Sequence, residues 1–336
     1  MNSLFVTLPL LLGSAVVIYL ACEYFVNGVE WVGRKFAVGQ QATGTILAAF
    51  GTALPESVVT FVAVVFGVTA EQKEIGVGAA LGGPLVLATI AYATVGLTLI
   101  LSRKHLPRSA TVQRDFKRLS RDQGWFLAIF VVKLGLGLFL FALKPLLGIL
   151  FLGAYATYFW TEMRRGDDGD EDEGEPEPLK FAPRRETPAT SVAVAQTVIA
   201  LVVIFIASRV FVSQLDALGP ILGIKSQLLA LLLSPIATEL PETLNAIIWV
   251  RQGKYRLALA NISGAMMIQA TVPTALGVFF TPWLLDRSLI LAGAVTLLAV
   301  GMMFLAFRRG VISRGFLASM ALFYVLFAVV LVIFHI

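Results

Sequence analysis

A chain of 336 residues that is 58% hydrophobic and 14% charged is not an ordinary soluble domain, in which about 25% of residues are charged. A mean hydropathy of +0.85 describes a polytopic membrane protein, so the folding problem is helix packing in lipid. The net charge of +5 is spread over loops rather than gathered on one face, which excludes nucleic acid as a partner.

Ten apolar runs are long enough to cross a bilayer, at about 20 residues each. They are 5–26, 40–66, 76–101, 124–142, 145–162, 191–213, 226–250, 256–280, 288–307 and 315–334. The first lacks a basic leader and a small-residue cleavage site, so it reads as a retained span. Cys22 is the single cysteine. It excludes an internal disulfide and reads as a small packing residue. His105 and His335 fall in a loop and at the C-terminus, too few and too far apart for a zinc or copper centre. Only the Lys144-Pro145 corner separates the fourth and fifth runs.

Lysine and arginine set the sidedness. Loops after odd-numbered runs hold Arg34 and Lys35, the basic stretch 103–121, Arg164, Arg165, Lys180, Arg184 and Arg185, then Arg251, Lys254 and Arg256, and finally Arg308, Arg309 and Arg314. Loops after even-numbered runs hold little beyond Lys73, Lys144, Lys225 and Arg287. Positive loops stay in the cytoplasm, so both termini are expected outside. The central loop, 163–188, is then cytoplasmic. Its acidic and proline-rich composition, from Asp167 to Pro188, predicts disorder. An EF-hand reading fails because Glu173 stands where the loop glycine belongs. A solvated hinge and a weak cation sensor are the two roles left for it.

The loop divides the chain into a first unit, 1–162, and a second, 189–336, of five runs each. An odd number per unit reverses the polarity of the second, so the expected fold is all-α, with ten transmembrane helices as two inverted five-helix repeats. Two stretches mark the repeat: Gly51-Thr52-Ala53-Leu54-Pro55-Glu56 and Ala237-Thr238-Glu239-Leu240-Pro241-Glu242. At that offset Gln41 matches Gln227, and Gly82 aligns loosely with Gly264.

These residues suit a hard cation. A proline has no amide hydrogen and crowds the carbonyl four residues back, so Pro55 frees the Gly51 carbonyl and Pro241 that of Ala237. Irregular backbone at membrane depth is tolerated where it is buried in protein or lines a cavity. Thr52 and Glu56 are four apart, as are Thr238 and Glu242, which places each pair on one helix face. Calcium takes six to eight oxygen ligands, at about 2.3–2.6 Å, and two facing half-sites would supply such a set. One proline kink or one intramembrane glutamate is unremarkable alone. Both recurring in each half point to a transport site. Gly76, Gly78, Gly82 and Gly83 have a plain reading as close-packing positions. Asn261 and Gln269, on the eighth run, read either as interhelical hydrogen-bonding residues or as site lining.

At the doubled motif the chain resembles the calcium/cation antiporter superfamily, whose sodium/calcium exchangers carry Gly-Thr-Ser-Leu-Pro-Glu in each half. The resemblance is to a divergent prokaryotic-type member and covers nearly the whole chain. It implies alternating access at a midplane site and a plasma (inner) membrane location. Calcium, or a similar divalent ion, would be the cargo, with sodium or protons as the coupling ion and no cofactor. Glu56 and Glu242 match the family's essential carboxylates, and Thr52 and Thr238 its signature threonines. Ala49 and Pro235 stand where the family offers backbone carbonyls. The departures are specific. The signature serine is Ala53 in one half and Glu239 in the other. The following-span Gly-Ser-Asn element reads Gly82-Gly83-Pro84 and Gly264-Ala265-Met266, and a turn further on come Leu87 and Gln269.

Glu239 adds a third carboxylate, and like charges at low dielectric cannot all remain ionised. A site that holds a proton when empty and releases it to a cation is a proton/cation exchanger in outline. Lys133, near the middle of the fourth run, either snorkels or lies nearer an end than these bounds place it, or it pairs with a glutamate, in which case it could take the place of a sodium ion. The leading expectation is therefore a secondary cation antiporter. A non-transporting sensor or scaffold built on the same fold is the alternative. An intramembrane enzyme is disfavoured by the scarcity of histidine and cysteine, and a channel by the absence of a filter-like segment.

Overall fold

The computed structural model describes residues 4–35, 40–104, 110–164, 177–310 and 312–334. Side chains at 34–35, 40–52, 110–114, 162–164, 236–237 and 334 lie outside the description. So do His105, His335 and the acidic run 167–175. All regular structure among the described residues is helical. In chain order the helices are α1 (Leu4–Lys35), α2 (Gln40–Phe66), α3 (Ala70–Val86), α4 (Tyr92–Leu101), α5 (Ala110–Leu138), α6 (Gly148–Arg164), α7 (Thr190–Leu222), α8 (Ser226–Thr238), α9 (Leu240–Gln252), α10 (Tyr255–Phe280), α11 (Arg287–Arg309), α12 (Arg314–Ser319) and α13 (Ala321–Phe334).

Helix is what such runs must form in lipid, because every backbone group is then paired within its own segment. Among the described residues, six stretches are long and apolar enough to span a membrane: Leu4–Gly33, Ala70–Leu101, Thr190–Leu222, Tyr255–Phe280, Arg287–Arg309 and Arg314–Ile333. The second of these runs unbroken from α3 into α4 through a wide π-turn, Leu87–Ala91. Shortness limits α6, the front of α5 is charged, and the run containing Glu239 is split into α8 and α9. The described side chains of α2 cover only its apolar second part, Ala53–Phe66.

Polar side chains start helices and a glycine ends one. Thr69 accepts a hydrogen bond from the Gln72 amide to start α3, and Asp286 accepts one from Leu289 to start α11. Gly310, at φ 64°, closes α11 in the left-handed conformation that favours glycine.

Two apolar clusters organise the packing. One is centred on α1 and α7 and includes Ile18, Cys22, Ile204, Phe211 and Leu215. Cys22 is thus a packing residue, as expected. The larger cluster joins α3 to α5 and α8 to α13. Across the centre, α3 packs on α8, and α2 packs on α10. Small residues permit the first crossing: a methyl added at Gly78 would strike the Gln227 carbonyl, and one at Gly82 the Leu231 carbonyl. Outward faces of α1 and α7 expose Leu12, Val16, Val198, Val202 and Ile206, as lipid contact demands.

The connecting segments pair in two groups. Lys104 donates to the Arg251 carbonyl (2.5 Å), Arg314 to the Lys104 carbonyl (3.4 Å), and Arg256 pairs with Asp115. In the other group, Lys144 donates to the Pro282 and Trp283 carbonyls (2.8 and 2.9 Å), and Gln72 donates to Asp216 (3.0 Å).

One expectation needs correction. The central loop 163–188 was expected to be disordered throughout, yet α6 extends to Arg164 and residues 177–188 are packed. Leu179 is fully buried, and Asn27 of α1 donates to the Glu177 carbonyl (3.2 Å) while accepting from the Lys180 amide (2.9 Å). Gln196 of α7 accepts from the Phe181 amide (2.7 Å), and Lys180 pairs with Glu23 (2.9 Å). The physical reason is that this stretch carries an apolar Leu179-Lys180-Phe181 core that its acidic front lacks.

Candidate functional site

The two copies of the Leu-Pro-Glu run meet at the centre of the bundle, and they fold differently. α2 continues as helix through Pro55. The second-half copy breaks: α8 ends at Thr238, Glu239 takes φ −98° and ψ 1°, and α9 begins with Pro241 in its first turn. Proline is well placed there, because the first amides of a helix have no intrahelical acceptor. Glu239 therefore sits on a joint, and Glu242 sits in the first turn of the new helix.

Three intramembrane carboxylates are removed from solvent: Glu56 and Glu242 show no exposed surface and Glu239 about 1%. Their link is Thr238. Its Oγ1 lies 2.8 Å from Glu56 Oε2, 2.9 Å from Glu239 Oε1 and 3.1 Å from the Ser234 carbonyl. Ser234 donates a longer bond to Glu56 Oε2 (3.4 Å). On its other side, Glu239 Oε2 accepts from Gln269 Nε2 of α10 (2.8 Å).

A hydroxyl carries a single proton. Facing two carboxyl groups and a carbonyl, Thr238 can donate to just one of the three. Glu56 keeps the Ser234 donor and Glu239 the Gln269 donor, but with both acids ionised one carboxylate oxygen faces a Thr238 lone pair at hydrogen-bond distance. A proton held by the Glu56–Glu239 pair relieves that contact.

The sequence-predicted residues divide into three sets. Glu56, Thr238, Glu239 and Gln269 are brought into one hydrogen-bonded chain. Glu242 is buried in the first turn of α9. The carbonyl of Pro235 accepts the Glu239 amide (2.9 Å) within the last turn of α8. Asn261 is buried on α10, but both atoms of its amide lack a hydrogen-bond partner. It acts neither as an interhelical bond nor as a visible part of the carboxylate chain. The side chains of Ala49 and Thr52 lie outside the described residues. Among the described residues, no three acidic, histidine or cysteine side chains are grouped closely enough to hold a metal ion by themselves. Any cation here therefore needs hydroxyl, amide or backbone oxygens as well.

Lys133 lies nearer an end than the bounds of the fourth run place it, in the last turns of α5 before Leu138. It is fully buried, so it does not snorkel. Among the described residues no ion-pair contact joins it to a glutamate. Its ammonium donates to the Ala80 carbonyl (2.7 Å) and the Gln269 carbonyl (3.4 Å).

Sequence reasoning missed Ser234, and it read Gly83 only as a packing position. A methyl on Gly83 would stand 2.7 Å from Gln269 Oε1, so this glycine makes the space that Gln269 occupies. A second polar group also went unread: Gln123 of α5 donates to the Tyr92 hydroxyl (2.9 Å) and to Ser263 (3.0 Å). No local motif announces either feature, since each is assembled from separate helices.

Comparison with known proteins agrees with this architecture. The chain matches the family described as sodium/calcium exchanger protein over residues 6–163 and 192–333. It is 28% identical over 335 residues to inner membrane protein YrbG of Escherichia coli, covering 96% of this chain and 97% of that one. It is 26% identical to the putative antiporter CaxA of Alkalimonas amylolytica, over 84% of this chain and 83% of that one. The crystal structure of the H+/Ca2+ exchanger CAX shares the fold at a TM-score of 0.69 and 17% identity, over 97% of this chain and 87% of that one. The sodium-calcium exchanger NCX_Mj, soaked with sodium and strontium, superposes at a TM-score of 0.59 and 17% identity, over 96% and 98%. These families and neighbours are transporters rather than enzymes. The chain is an integral membrane protein and belongs to the sodium/calcium exchanger family.

Proposed function

We propose that this protein is a secondary antiporter that exchanges calcium, or a similar hard divalent cation, for protons or sodium by alternating access. The observation that carries this reading is the convergence of a carboxylate from each half, Glu56 and Glu239, on the Thr238 hydroxyl in the core of the bundle. Buried intramembrane acids mark ion pathways. Glu56 and Glu242 bind the cation, and Thr238, Gln269 and freed backbone carbonyls complete its oxygen shell. Thr52, Ala49, Pro235 and Asn261 are the further oxygen donors of this reading.

Protons are the favoured coupling ion, because the single hydroxyl proton of Thr238 cannot serve both neighbouring carboxyl groups. A divalent cation arriving between Glu56 and Glu242 displaces the shared proton. The structural neighbour CAX is described as an H+/Ca2+ exchanger, which is in keeping with this choice.

The reading includes two inverted five-helix repeats, 1–162 and 189–336, joined by 163–188. Reciprocal packing supports it: the third helical segment of each half packs on the motif segment of the other, α3 on α8 and α10 on α2. Both termini face outward and the central segment lies in the cytoplasm. The separation of connecting segments into two bonded groups supports this arrangement, since each group joins loops expected on one side.

Vesicles containing the purified protein test the assignment. Glu56→Gln and Glu242→Gln are each expected to abolish cation-driven exchange, and normal exchange in both variants would defeat it. In sodium-free buffer, a trapped pH dye should respond to calcium movement. A silent dye alongside sodium-dependent flux favours sodium coupling instead.

A further inference from the structure

Lys133 has a ligand set that neither a packing role nor the antiport reaction explains. Its ammonium touches two carbonyls from different helices, Ala80 on α3 and Gln269 on α10. In an α-helix, the Ala80 carbonyl accepts from residue 84 and the Gln269 carbonyl from residue 273. Both of those residues are proline, Pro84 and Pro273, which has no amide hydrogen to give. Lys133 thus bonds to two carbonyls that prolines have left without their helical donors, one in each half of the chain. Such oxygens, turned loose at membrane depth, are what transporters use to hold small cations.

The rest of the surroundings also favours positive charge. Phe130 presents its ring 5.1 Å from the ammonium, and Trp283 stands 5.8 Å away, within the range of cation–π attraction. Trp283 is held at φ +48°, a left-handed conformation that is costly for a side chain of its size. It is fully buried and donates its indole hydrogen to the Lys133 carbonyl (3.2 Å). Gly277 leaves it room, since a methyl there would collide with the indole ring. Carbonyls and aromatic faces thus surround one side chain that enters from α5.

We propose that the Lys133 ammonium is a tethered cation, filling a monovalent-cation site formed by the proline-freed carbonyls of Ala80 and Gln269. The ligand class of the vacated site is a small monovalent cation such as sodium. The functional consequence, that this chain needs no mobile monovalent ion at that place, rests on the antiporter reading. The site itself does not.

Binding rather than flux tests it, so its failure is separable from failure of the antiporter assignment. Radiolabelled sodium is titrated onto the purified full-length protein, the Lys133→Ala variant and the Lys133→Met variant. Lys133→Ala is expected to gain a saturable sodium site that the wild type lacks and that ethylammonium competes for. Lys133→Met, which fills the space without the charge, is expected to gain none. A monodisperse Lys133→Ala protein that binds no more sodium than the wild type overturns the proposal. If Lys133→Ala does not fold, thallium-soaked crystals of the wild type decide. An anomalous peak between the Ala80 and Gln269 carbonyls, with Lys133 displaced, contradicts the proposal, and a vacant position there upholds it.

Discussion

The two halves share a proline–glutamate pair and use it in different ways. In the first half, Pro55 is carried inside a continuous α2, and Glu56 reaches across to the other half for its partner. In the second, the chain opens at Glu239, and that residue turns inward onto Thr238 and Gln269. Each proline removes one helix donor, so the deletion alone does not decide whether a helix breaks. The second half adds an acid immediately before the Leu-Pro step. Its carboxyl has hydrogen-bond partners when the backbone opens, and the Thr243 hydroxyl and amide both bond to its carbonyl (2.8 and 3.1 Å). The third helical segments repeat the asymmetry. In α10 there is a polar ligand, Gln269, while α3 supplies the empty space of Gly83 that lets Gln269 stand there. Among the described residues, the hydrogen-bonding groups around the acids come from the second half, and the first contributes one carboxylate and room.

Substitutions can break or sharpen this contrast. The largest effect is expected at the shared feature. Glu56→Gln and Glu242→Gln should each weaken divalent binding by about 100-fold or more, as expected when a buried charged contact costing roughly 3–5 kcal/mol is broken. Calorimetry with calcium measures this. If only one of the two variants loses affinity, the site belongs to a single half. Next is Thr238→Val, which removes the bridging hydroxyl. In the wild type, divalent affinity should fall as pH falls, because protons on the acid pair compete with the cation. The variant should shift the midpoint of that curve, and an unmoved midpoint means that the threonine does not couple the two acids.

The prolines give a comparison within the repeat. Pro241→Ala allows α8 and α9 to heal through Glu239, whereas Pro55→Ala restores a donor to a helix that is already continuous. Exchange should suffer about tenfold more in Pro241→Ala, in line with the ~1.4 kcal/mol per decade that reorienting one charged hydrogen bond represents. Equal losses would place the functional break in both halves. The glycines separate packing from ligation. Gly82→Ala forces a methyl against the Leu231 backbone carbonyl and should lower the melting temperature through overpacking, at about 1–3 kcal/mol. By contrast, Gly83→Ala meets the end of a flexible amide and should lower divalent affinity with less change in stability. The smallest effect is expected from Asn261→Ala, which removes one neutral oxygen donor and breaks no hydrogen bond to the acids; divalent affinity should fall by less than in any acid variant.

Much of this was legible in the sequence. Hydropathy located the helical segments, and the doubled Leu-Pro-Glu run pointed to acids that are buried in the bundle, Glu56 and Glu242. The same rule that connected Pro55 to Gly51 would have connected Pro84 to Ala80 and Pro273 to Gln269, yet nothing local shows that Lys133 of α5 arrives between them. That meeting depends on how helices cross, which sequence periodicity does not encode. The difference between Pro55 and Pro241 was hidden for a related reason, since Glu239 chooses its conformation through Thr238 and Gln269, its neighbour in sequence and a residue thirty positions away. Residues 177–188 were misread because the acidic front of the loop dominated its composition. The buried Leu179 and the partners waiting on α1 and α7 are contacts that a composition argument passes over.

The most direct test is a crystal structure of the wild-type protein soaked in strontium or manganese, with anomalous maps. The expected result is one strong peak between the Glu56 and Glu242 carboxylates, with Thr238 and backbone carbonyls in its shell and Lys133 still on Ala80. A peak elsewhere in the bundle, or none at concentrations that support exchange, would contradict the claim that both halves build a single cation site.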